Sequence, residues 1–184
     1  MGDSGSIIID GQGQNIGNAI TASSSIIHLQ NLTIQNSDYG LKVESSDSNS
    51  IKNVVFTNNN YSFYINENSG YTIIDSSSFI GNNYGPYFVD SDSVMVNNSI
   101  INDNIGQGIY SSETIVNIIN TTIHGNNKGV QFQSSTNDSL TLENVFLDSN
   151  SYHGVLINTT NNENIKVKIY ESRFINNYYY GSSR

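Results

Sequence analysis

The sequence predicts an all-β, single-domain parallel β-helix, a solenoid of about seven to eight coils with about 22 residues in each coil. Three observations predict it. One phrase, an apolar residue followed by two spacers and Asn, recurs along most of the chain. The stretches around it alternate between apolar and polar residues, as half-buried β-strands do. Clusters of Asn, Gly and Ser separate these stretches at regular intervals, as turns do.

The recurring phrase sets the period of the solenoid. Its copies are Phe56–Asn59, Phe79–Asn82, Ile101–Asn104, Ile123–Asn126, Leu147–Asn150 and Phe174–Asn177, with Ile34–Ser37 as a weaker one. Neighbouring apolar anchors lie 22 to 27 residues apart. A repeat of this size is typical of stacked coils that bury one continuous core. We therefore expect Phe56, Phe79, Ile101, Ile123, Leu147 and Phe174 to form one inward-facing column.

Each coil is predicted to hold three short strands. The first alternates and ends at a polar residue, in 27–31, 51–53, 74–76, 94–98, 116–120, 140–144 and 167–171. The second carries the anchor. The third follows Gly or Ser, in 40–43, 62–65, 85–88, 108–110, 129–132 and 154–157. The runs are rich in β-branched and aromatic residues and too short for helices, which favours strands.

Two rows of Asn are expected at the corners of the coils. One row is Asn31, Asn53, Ser76, Asn98, Asn120, Asn144 and Glu171; the other is Ser37, Asn59, Asn82, Asn104, Asn126, Asn150 and Asn177. Asn tolerates the left-handed backbone conformation of sharp corners, and stacked Asn side chains can hydrogen-bond from coil to coil. We interpret both rows as structural, and we expect Asn31 and Asn120 to be buried.

These residues resemble the right-handed parallel β-helix (pectin-lyase-like) superfamily. The Phe-x-x-Asn phrase is similar to the repeat of bacterial polymorphic outer-membrane proteins, although their Gly-Gly-Ala-Ile phrase is absent. The stretch Ile7–Gly13 is similar to an Ile-Asp-Gly-x-Gly stretch in early coils of such proteins. The resemblance covers residues 7–178 and implies a right-handed solenoid, but a fold does not fix an activity.

Charge and amino-acid composition limit the classes of molecule that this chain is expected to bind. The net charge is −9 with only 7 Lys and Arg, which argues against nucleic acid and against anionic membranes. The absence of Cys excludes disulfides and thiolate metal sites, and we expect no cofactor. The sequence carries neither a signal-peptide core nor a transmembrane run. We expect residues 1–6 to be a flexible start, 7–178 the coils and 179–184 a tail, in a whole solenoid or a piece of a longer one.

Catalytic residues are not predicted. The resemblance implies hydrolases that need paired carboxylates and lyases that need a basic residue, and the family's hydrolase motifs are absent. Asp75 and Asp103 are the best internal carboxylates, but they belong to different coils and different repeat positions. His28 and His124 are expected to lack a charged partner at the matching position of a neighbouring coil. We interpret the acidic loops around Asp47, Asp90–Asp92 and Asp138 as solvated rather than as calcium sites.

Tyrosines give the clearest candidate for a binding surface. Tyr39, Tyr61 and Tyr84 precede the third strand in successive coils, and Tyr64, Tyr87 and Tyr110 are its outward positions, flanked by Lys42 and Gln131. Two interpretations stay open. The favoured one is cross-strand stacking that stabilises the sheet. The other is an aromatic face that binds glycans or a protein partner.

The chain contains six Asn-x-Ser/Thr sequons, about as many as chance gives in so Asn-rich a sequence. The glycosylation candidates, if the protein is secreted, are Asn60, Asn97, Asn137 and Asn158.

The predicted function is a non-catalytic, extracellular or cell-surface structural or adhesive module. The alternative is a carbohydrate-active enzyme fragment, or a glycan-binding module that uses the tyrosines. We find no sequence that would cap either end of the rod. The expected partners are therefore a second copy stacked head to tail, which would build a filament, or adjoining coils of a longer chain.

Overall fold

The computed structural model describes residues 7–67, 69–135, 137–159 and 165–178. The predicted start (1–6) and tail (179–184) lie outside them. The described residues contain strands and no helix. The strands are β1 (Ile7–Asp10), β2 (Ile20–Ser23), β3 (Ile27–Gln35), β4 (Tyr39–Glu44), β5 (Ser48–Thr57), β6 (Tyr61–Asn66), β7 (Ser69–Asp75), β8 (Ser78–Ile80), β9 (Tyr87–Asn97), β10 (Ile100–Asn102), β11 (Gln107–Ile119), β12 (Thr122–His124), β13 (Lys128–Ser134), β14 (Ser139–Glu143), β15 (Phe146–Asp148), β16 (His153–Thr159), β17 (Lys166–Tyr170) and β18 (Arg173–Ile175).

The strands wind around three sides of a rod, and every strand pairing is parallel. The anchor sheet consists of β1, the second halves of β3 and β5, and β8, β10, β12, β15 and β18. The tyrosine sheet consists of β2, β4, β6, the first halves of β9 and β11, β13 and β16. The third sheet consists of the first halves of β3 and β5, β7, the second halves of β9 and β11, β14 and β17.

Each strand pairs with its counterpart one coil away, so that equivalent residues stack along the rod. In the anchor sheet, for example, Ile101 lies in register with Phe79 on one side and Ile123 on the other. The result is a parallel β-solenoid of about seven coils with a period close to 22 residues, which confirms the predicted fold class.

The anchors form the predicted core column along most of its length. Phe56, Phe79, Ile101, Ile123 and Leu147 are fully buried. Phe174 stacks in register on Leu147, as predicted, but its side chain is 42% exposed. The reason is that β18 pairs only with β15, and no described residue packs on the other side of Phe174.

The first predicted row of Asn occupies a left-handed corner. All seven members have φ between 49° and 58°. Their side chains point to solvent, so the expectation that Asn31 and Asn120 are buried is wrong. Carboxamides still connect neighbouring coils here, as when Nδ2 of Asn53 donates to Oδ1 of Asn31 at 2.8 Å.

The second row is an internal ladder rather than a set of left-handed residues. At this corner the left-handed residue stands one position earlier, at Asn36, Asn58, Gly81, Asp103, Gly125, Ser149 and Asn176. That turn directs the following side chain inward, and Asn59, Asn82, Asn104, Asn126 and Asn150 are fully or almost fully buried. A buried amide is stable only with hydrogen-bond partners, and each rung supplies them to the next.

Candidate functional site

The tyrosine sheet brings all six predicted tyrosines together. Strand register places Tyr39 beside Tyr61, and a parallel bridge places Tyr61 beside Tyr84. Three residues further along the chain, Tyr64, Tyr87 and Tyr110 are also in register. Lys42 precedes this second column and Gln131 follows it, as expected. The two columns are adjacent and half-buried on the outer face of the sheet.

The rings contact one another within and between the two columns. Tyr61 stacks on Tyr39 with centroids 4.9 Å apart and on Tyr84 at 4.8 Å. Tyr87 stacks on Tyr110 at 4.6 Å and, more loosely, on Tyr64 at 6.4 Å. Edge-to-face contacts of 5.2 to 5.8 Å join the columns. The tyrosines therefore form one continuous aromatic cluster, in the arrangements that aromatic pairs favour.

This packing decides which part of each ring a ligand can reach. Because the rings stack along the rod, most of each ring face is covered by the next tyrosine. At one end, the ammonium of Lys42 lies 5.7 Å from the Tyr39 ring centre. At the other end, the backbone at Gly106 is so close to the Tyr84 ring that an added Cβ would lie 2.5 Å from it. The accessible surface therefore consists mainly of ring edges and hydroxyl groups.

A polar network continues the tyrosine columns, and of its members only Gln131 was expected from the sequence. The hydroxyl of Tyr87 donates to Oε1 of Gln107 at 2.7 Å, and the hydroxyl of Tyr110 donates to Oε1 of Gln133 at 2.6 Å. Both Nε2 of Gln107 and Nζ of Lys128 donate to Oε1 of Gln131, at 2.9 and 2.8 Å. Register places Gln131 directly after Tyr110 in the second column, and it pairs Gln107 with Lys128 in successive coils. Gln133 pairs with Ser112 and lies two positions beyond the tyrosine row, so the repeat alignment gave no signal for it.

Burial raises the pKa of Tyr39, Tyr61 and Tyr87 and so disfavours their ionisation. Desolvation raises the pKa of Tyr87 far above its ordinary value, and neighbouring tyrosines add to the effect. Desolvation also raises the pKa of Tyr39 and of Tyr61, with the charge of Asp38 contributing. The hydroxyls of these three tyrosines therefore stay protonated at physiological pH and act as hydrogen-bond donors and acceptors rather than as bases.

One expectation about the histidines is wrong. His124 does have a carboxylate partner in the neighbouring coil, since β12 pairs with β15 and places Asp148 opposite it. Nδ1 of His124 lies 3.6 Å from Oδ2 of Asp148, and the His side chain is 43% exposed. The other oxygen of Asp148 accepts from the Ser149 hydroxyl at 3.0 Å. An exposed pair at this distance is a weak surface ion pair when His is protonated.

The two candidate carboxylates do not meet. Asp75 lies in the third sheet, where Nδ2 of Asn98 donates to it at 3.0 Å and Lys52 lies 4.0 Å away. Asp103 is the left-handed residue of an anchor-sheet corner, next to Gly125 of the following coil. Within 7–67, 69–135, 137–159 and 165–178, no three His, Asp or Glu residues are grouped so as to hold a metal ion. The same ranges contain no helix long and apolar enough to cross a membrane.

The four sequon asparagines differ in accessibility. Asn137 is exposed between β13 and β14, and Asn158 is half-buried in β16. Nδ2 of Asn60 donates to Asp38 at 2.8 Å, and Nδ2 of Asn97 lies 3.4 Å from Oδ1 of Asp75. Glycosylation at Asn60 would break a bond between coils, so Asn137 is the most accessible acceptor of the four.

Comparison with known proteins identifies the fold family. A family model described as a right-handed β-helix region matches residues 7–174. A variant of the catalytic domain of a GH87 α-1,3-glucanase, in complex with tetrasaccharides, is similar at 13% identity with a TM-score of 0.25. That alignment covers 81% of this chain and 49% of the other, so the chain spans about half of that domain. No curated protein matches the chain.

Proposed function

Since the chain belongs to the right-handed β-helix family, we propose that it is a non-catalytic structural or adhesive module of an extracellular or cell-surface protein. One observation carries the proposal. The residues that recur in the sequence are engaged with their own counterparts one coil away, as the Asn ladder, the anchor column and the tyrosine columns illustrate. Side chains used in this way stiffen a rod and leave few groups free for chemistry.

Charge and sequence likeness support the same assignment. A chain with net charge −9 would repel acidic polysaccharides, which are the usual substrates of enzymes on this fold. The Phe-x-x-Asn phrase is similar to repeats of bacterial outer-membrane proteins, which favours a cell-surface location. The exposed sequon at Asn137 is compatible with secretion.

We expect no turnover when the purified protein is incubated with pectate, alginate or neutral glucans. The physical reason is that Asp75 lies in the third sheet and Asp103 at a corner of the anchor sheet, while His124 at the end of β12 contacts a single carboxylate. Turnover is measured as the release of reducing ends, for a hydrolase, or of unsaturated products, for a lyase. Asp103→Asn and His124→Gln serve as matched controls. Turnover that disappears in either variant would contradict the proposal and favour the alternative, an enzyme fragment.

The tyrosine sheet favours a second candidate, in which the module binds a neutral glycan or a protein partner through this surface. Six half-buried tyrosines and the adjoining glutamines offer ring edges, hydroxyls and amides over several coils. Such groups bind by hydrogen bonding combined with apolar contact.

If this surface binds, Tyr64→Ala and Tyr87→Ala should each weaken binding by about tenfold, or about 1.4 kcal/mol. Immobilised glycans and titration calorimetry would provide the measurement. Tyr71→Ala is the matched control, because Tyr71 is 39% exposed on the third sheet, away from the cluster. Tyr87→Phe and Tyr110→Phe separate hydroxyl from ring contributions. Equal losses in the Tyr71 and Tyr87 variants would contradict a role for the tyrosine sheet.

A further inference from the structure

The polar network beside the tyrosines has a direction that Lys128 fixes. An ammonium group can only donate, so the atom that faces Nζ of Lys128 at 2.8 Å is the oxygen of the Gln131 amide. That oxygen also accepts from Nε2 of Gln107 at 2.9 Å, and the Gln107 oxygen in turn accepts from the Tyr87 hydroxyl at 2.7 Å. The network therefore uses its amide oxygens internally, and the groups that it leaves for a ligand are N–H donors.

These unused donors gather around Lys128. Among the described residues, Nε2 of Gln131 and Nε2 of Gln133 donate to no other group, and Nε2 of Gln107 donates once. The oxygen of Gln133 is already engaged by the Tyr110 hydroxyl. The Gln131 side chain is only 9% exposed, so water has little access to its N–H groups. A buried donor without a partner is costly, which favours an acceptor from outside the chain.

Lys128 adds a positive charge that no described carboxylate neutralises. Lys42 pairs with Glu44, and Lys52 lies 4.0 Å from Asp75. Lys128 forms no such ion pair within the described ranges, and its ammonium donates to an amide oxygen instead. An anion at this point would meet a full positive charge as well as N–H groups, which is the combination that forms the stronger hydrogen bonds.

The surface around Lys128 is almost free of other charges. Glu44 is the single carboxylate among the described outward positions of the tyrosine sheet, although the whole chain has a net charge of −9. His153 follows Lys128 in the next coil, and burial, together with the Lys128 charge, lowers the pKa of His153. His153 is therefore neutral at physiological pH. One cation and several N–H donors in neutral surroundings match a single carboxylate rather than a polyanion.

We propose that a protein partner places the carboxylate of an aspartate or glutamate side chain into this donor cluster, which consists of Lys128, Gln107, Gln131 and Gln133. The proposal rests on the second candidate function, binding through the tyrosine sheet, and names the chemistry of the partner. Around that carboxylate, the partner's surface is neutral or basic and lies against the edges of Tyr87 and Tyr110.

The covered tyrosine rings favour a protein over an acidic polysaccharide. Tyr87 is stacked between Tyr64 and Tyr110, so its ring faces are closed to a sugar ring. Rigid tyrosine edges and hydroxyls on a surface poor in charge are typical of protein interfaces. A polysaccharide with a carboxylate on each sugar would also be repelled by the net charge of −9, whereas a single carboxylate on a neutral or basic protein surface would not.

The test uses two synthetic peptides with blocked ends and the same neutral sequence of Ser, Thr and Tyr. One peptide carries a central Glu and the other a central Gln. Each is titrated into the full chain labelled with nitrogen-15, and the side-chain amide signals of Gln107, Gln131 and Gln133 are followed by NMR. The Glu peptide should shift these signals and bind at least about tenfold more tightly than the Gln peptide. Added salt should reduce that difference.

Two variants locate the effect, and a third is the matched control. Lys128→Gln should abolish the preference for the Glu peptide. Lys52→Gln removes the same charge from the third sheet and should keep the preference. Gln131→Glu retains an acceptor for Lys128 and Gln107, so its unfolding by circular dichroism should match the wild type. Its own carboxylate should nevertheless exclude the Glu peptide.

Equal binding of the two peptides, or no binding of either, would overturn the proposal. So would equal losses in the Lys52 and Lys128 variants. An oligogalacturonate that binds more tightly than the Glu peptide would assign the donor cluster to a glycan and overturn the protein partner. A chain that fails these tests but cleaves no polysaccharide would still agree with a non-catalytic module, so the two proposals can fail separately.

Discussion

Replacing Phe79 by Ala is expected to lower the free energy of unfolding by about 3–5 kcal/mol. The Phe79 side chain is fully buried at the middle of the anchor column. Its ring stacks on Phe56 with centroids 4.9 Å apart, and Ile101 lies in register on its other side. Truncation removes apolar burial and leaves a cavity that stacked backbones cannot close, since the spacing of neighbouring coils is fixed by strand hydrogen bonds.

Chemical denaturation followed by circular dichroism measures this effect. Tyr71→Ala is the matched control, since it removes another aromatic side chain, but from an exposed position on the third sheet. The control should change the unfolding free energy by less than about 1 kcal/mol. A Phe79 variant that loses no more than the control would mean that the anchors do not form the core.

The fold could be predicted from the sequence because the length of the sequence repeat is also the length of one coil. Parallel coils place residues one repeat apart in direct register, so the spacing from Phe56 to Phe79 and on to Ile101 is itself the stacking pattern. For the same reason, the two tyrosine columns could be assigned from aligned repeats alone. Local patterns and tertiary contacts agree in such a fold, which is the condition under which sequence reasoning succeeds.

What could not be predicted depends on backbone details within one repeat. Composition identified Asn as the corner residue, but only φ values separate the exposed left-handed row of Asn31 from the buried ladder of Asn59. A third left-handed corner was missed, because it uses mixed residue types, namely Ser24, Ser45, Glu67, Asp90 and Glu113. Because no single residue type recurs at this corner, aligning the repeats did not predict it.

The sequence predicted which tyrosines form the candidate site, but not which parts of their rings are accessible. Repeat alignment gives which tyrosines are neighbours, whereas the covering of ring faces by stacking and by Gly106 depends on side-chain rotamers. The pairing of His124 with Asp148 was available from the same alignment, since the two residues hold one repeat position. It was missed because the repeats were compared at their apolar and Asn positions.

Replacing Asn104 by Ala is expected to lower the free energy of unfolding by about 3–5 kcal/mol, as much as losing a core aromatic ring. The Asn104 side chain is almost fully buried. Its Nδ2 donates to the carbonyl of Phe79 at 3.1 Å and to Oδ1 of Asn126 at 2.9 Å. Its Oδ1 accepts from the backbone N–H of Asn82 at 3.0 Å and from Nδ2 of Asn82 at 3.1 Å. Truncation would leave several buried polar groups without partners, and each such group costs about 1–3 kcal/mol.

The matched control for this variant is Asn127→Ala, one residue further along the chain. Asn127 is exposed, and its backbone N–H bonds to the carbonyl of Gly106, so truncating its side chain leaves the bond between the coils intact. Denaturant unfolding should therefore show a change below about 0.5 kcal/mol for the control.

The ladder also has a direction, because each rung donates to the next, and Ser37 fits at its first rung by donating to Oδ1 of Asn59. A serine in place of Asn104 should restore only part of the lost stability, since its single hydroxyl cannot replace two donors and a shared acceptor. Equal stability of the Asn104 and Asn127 variants would mean that stacked apolar residues, and not the amide ladder, hold neighbouring coils in register.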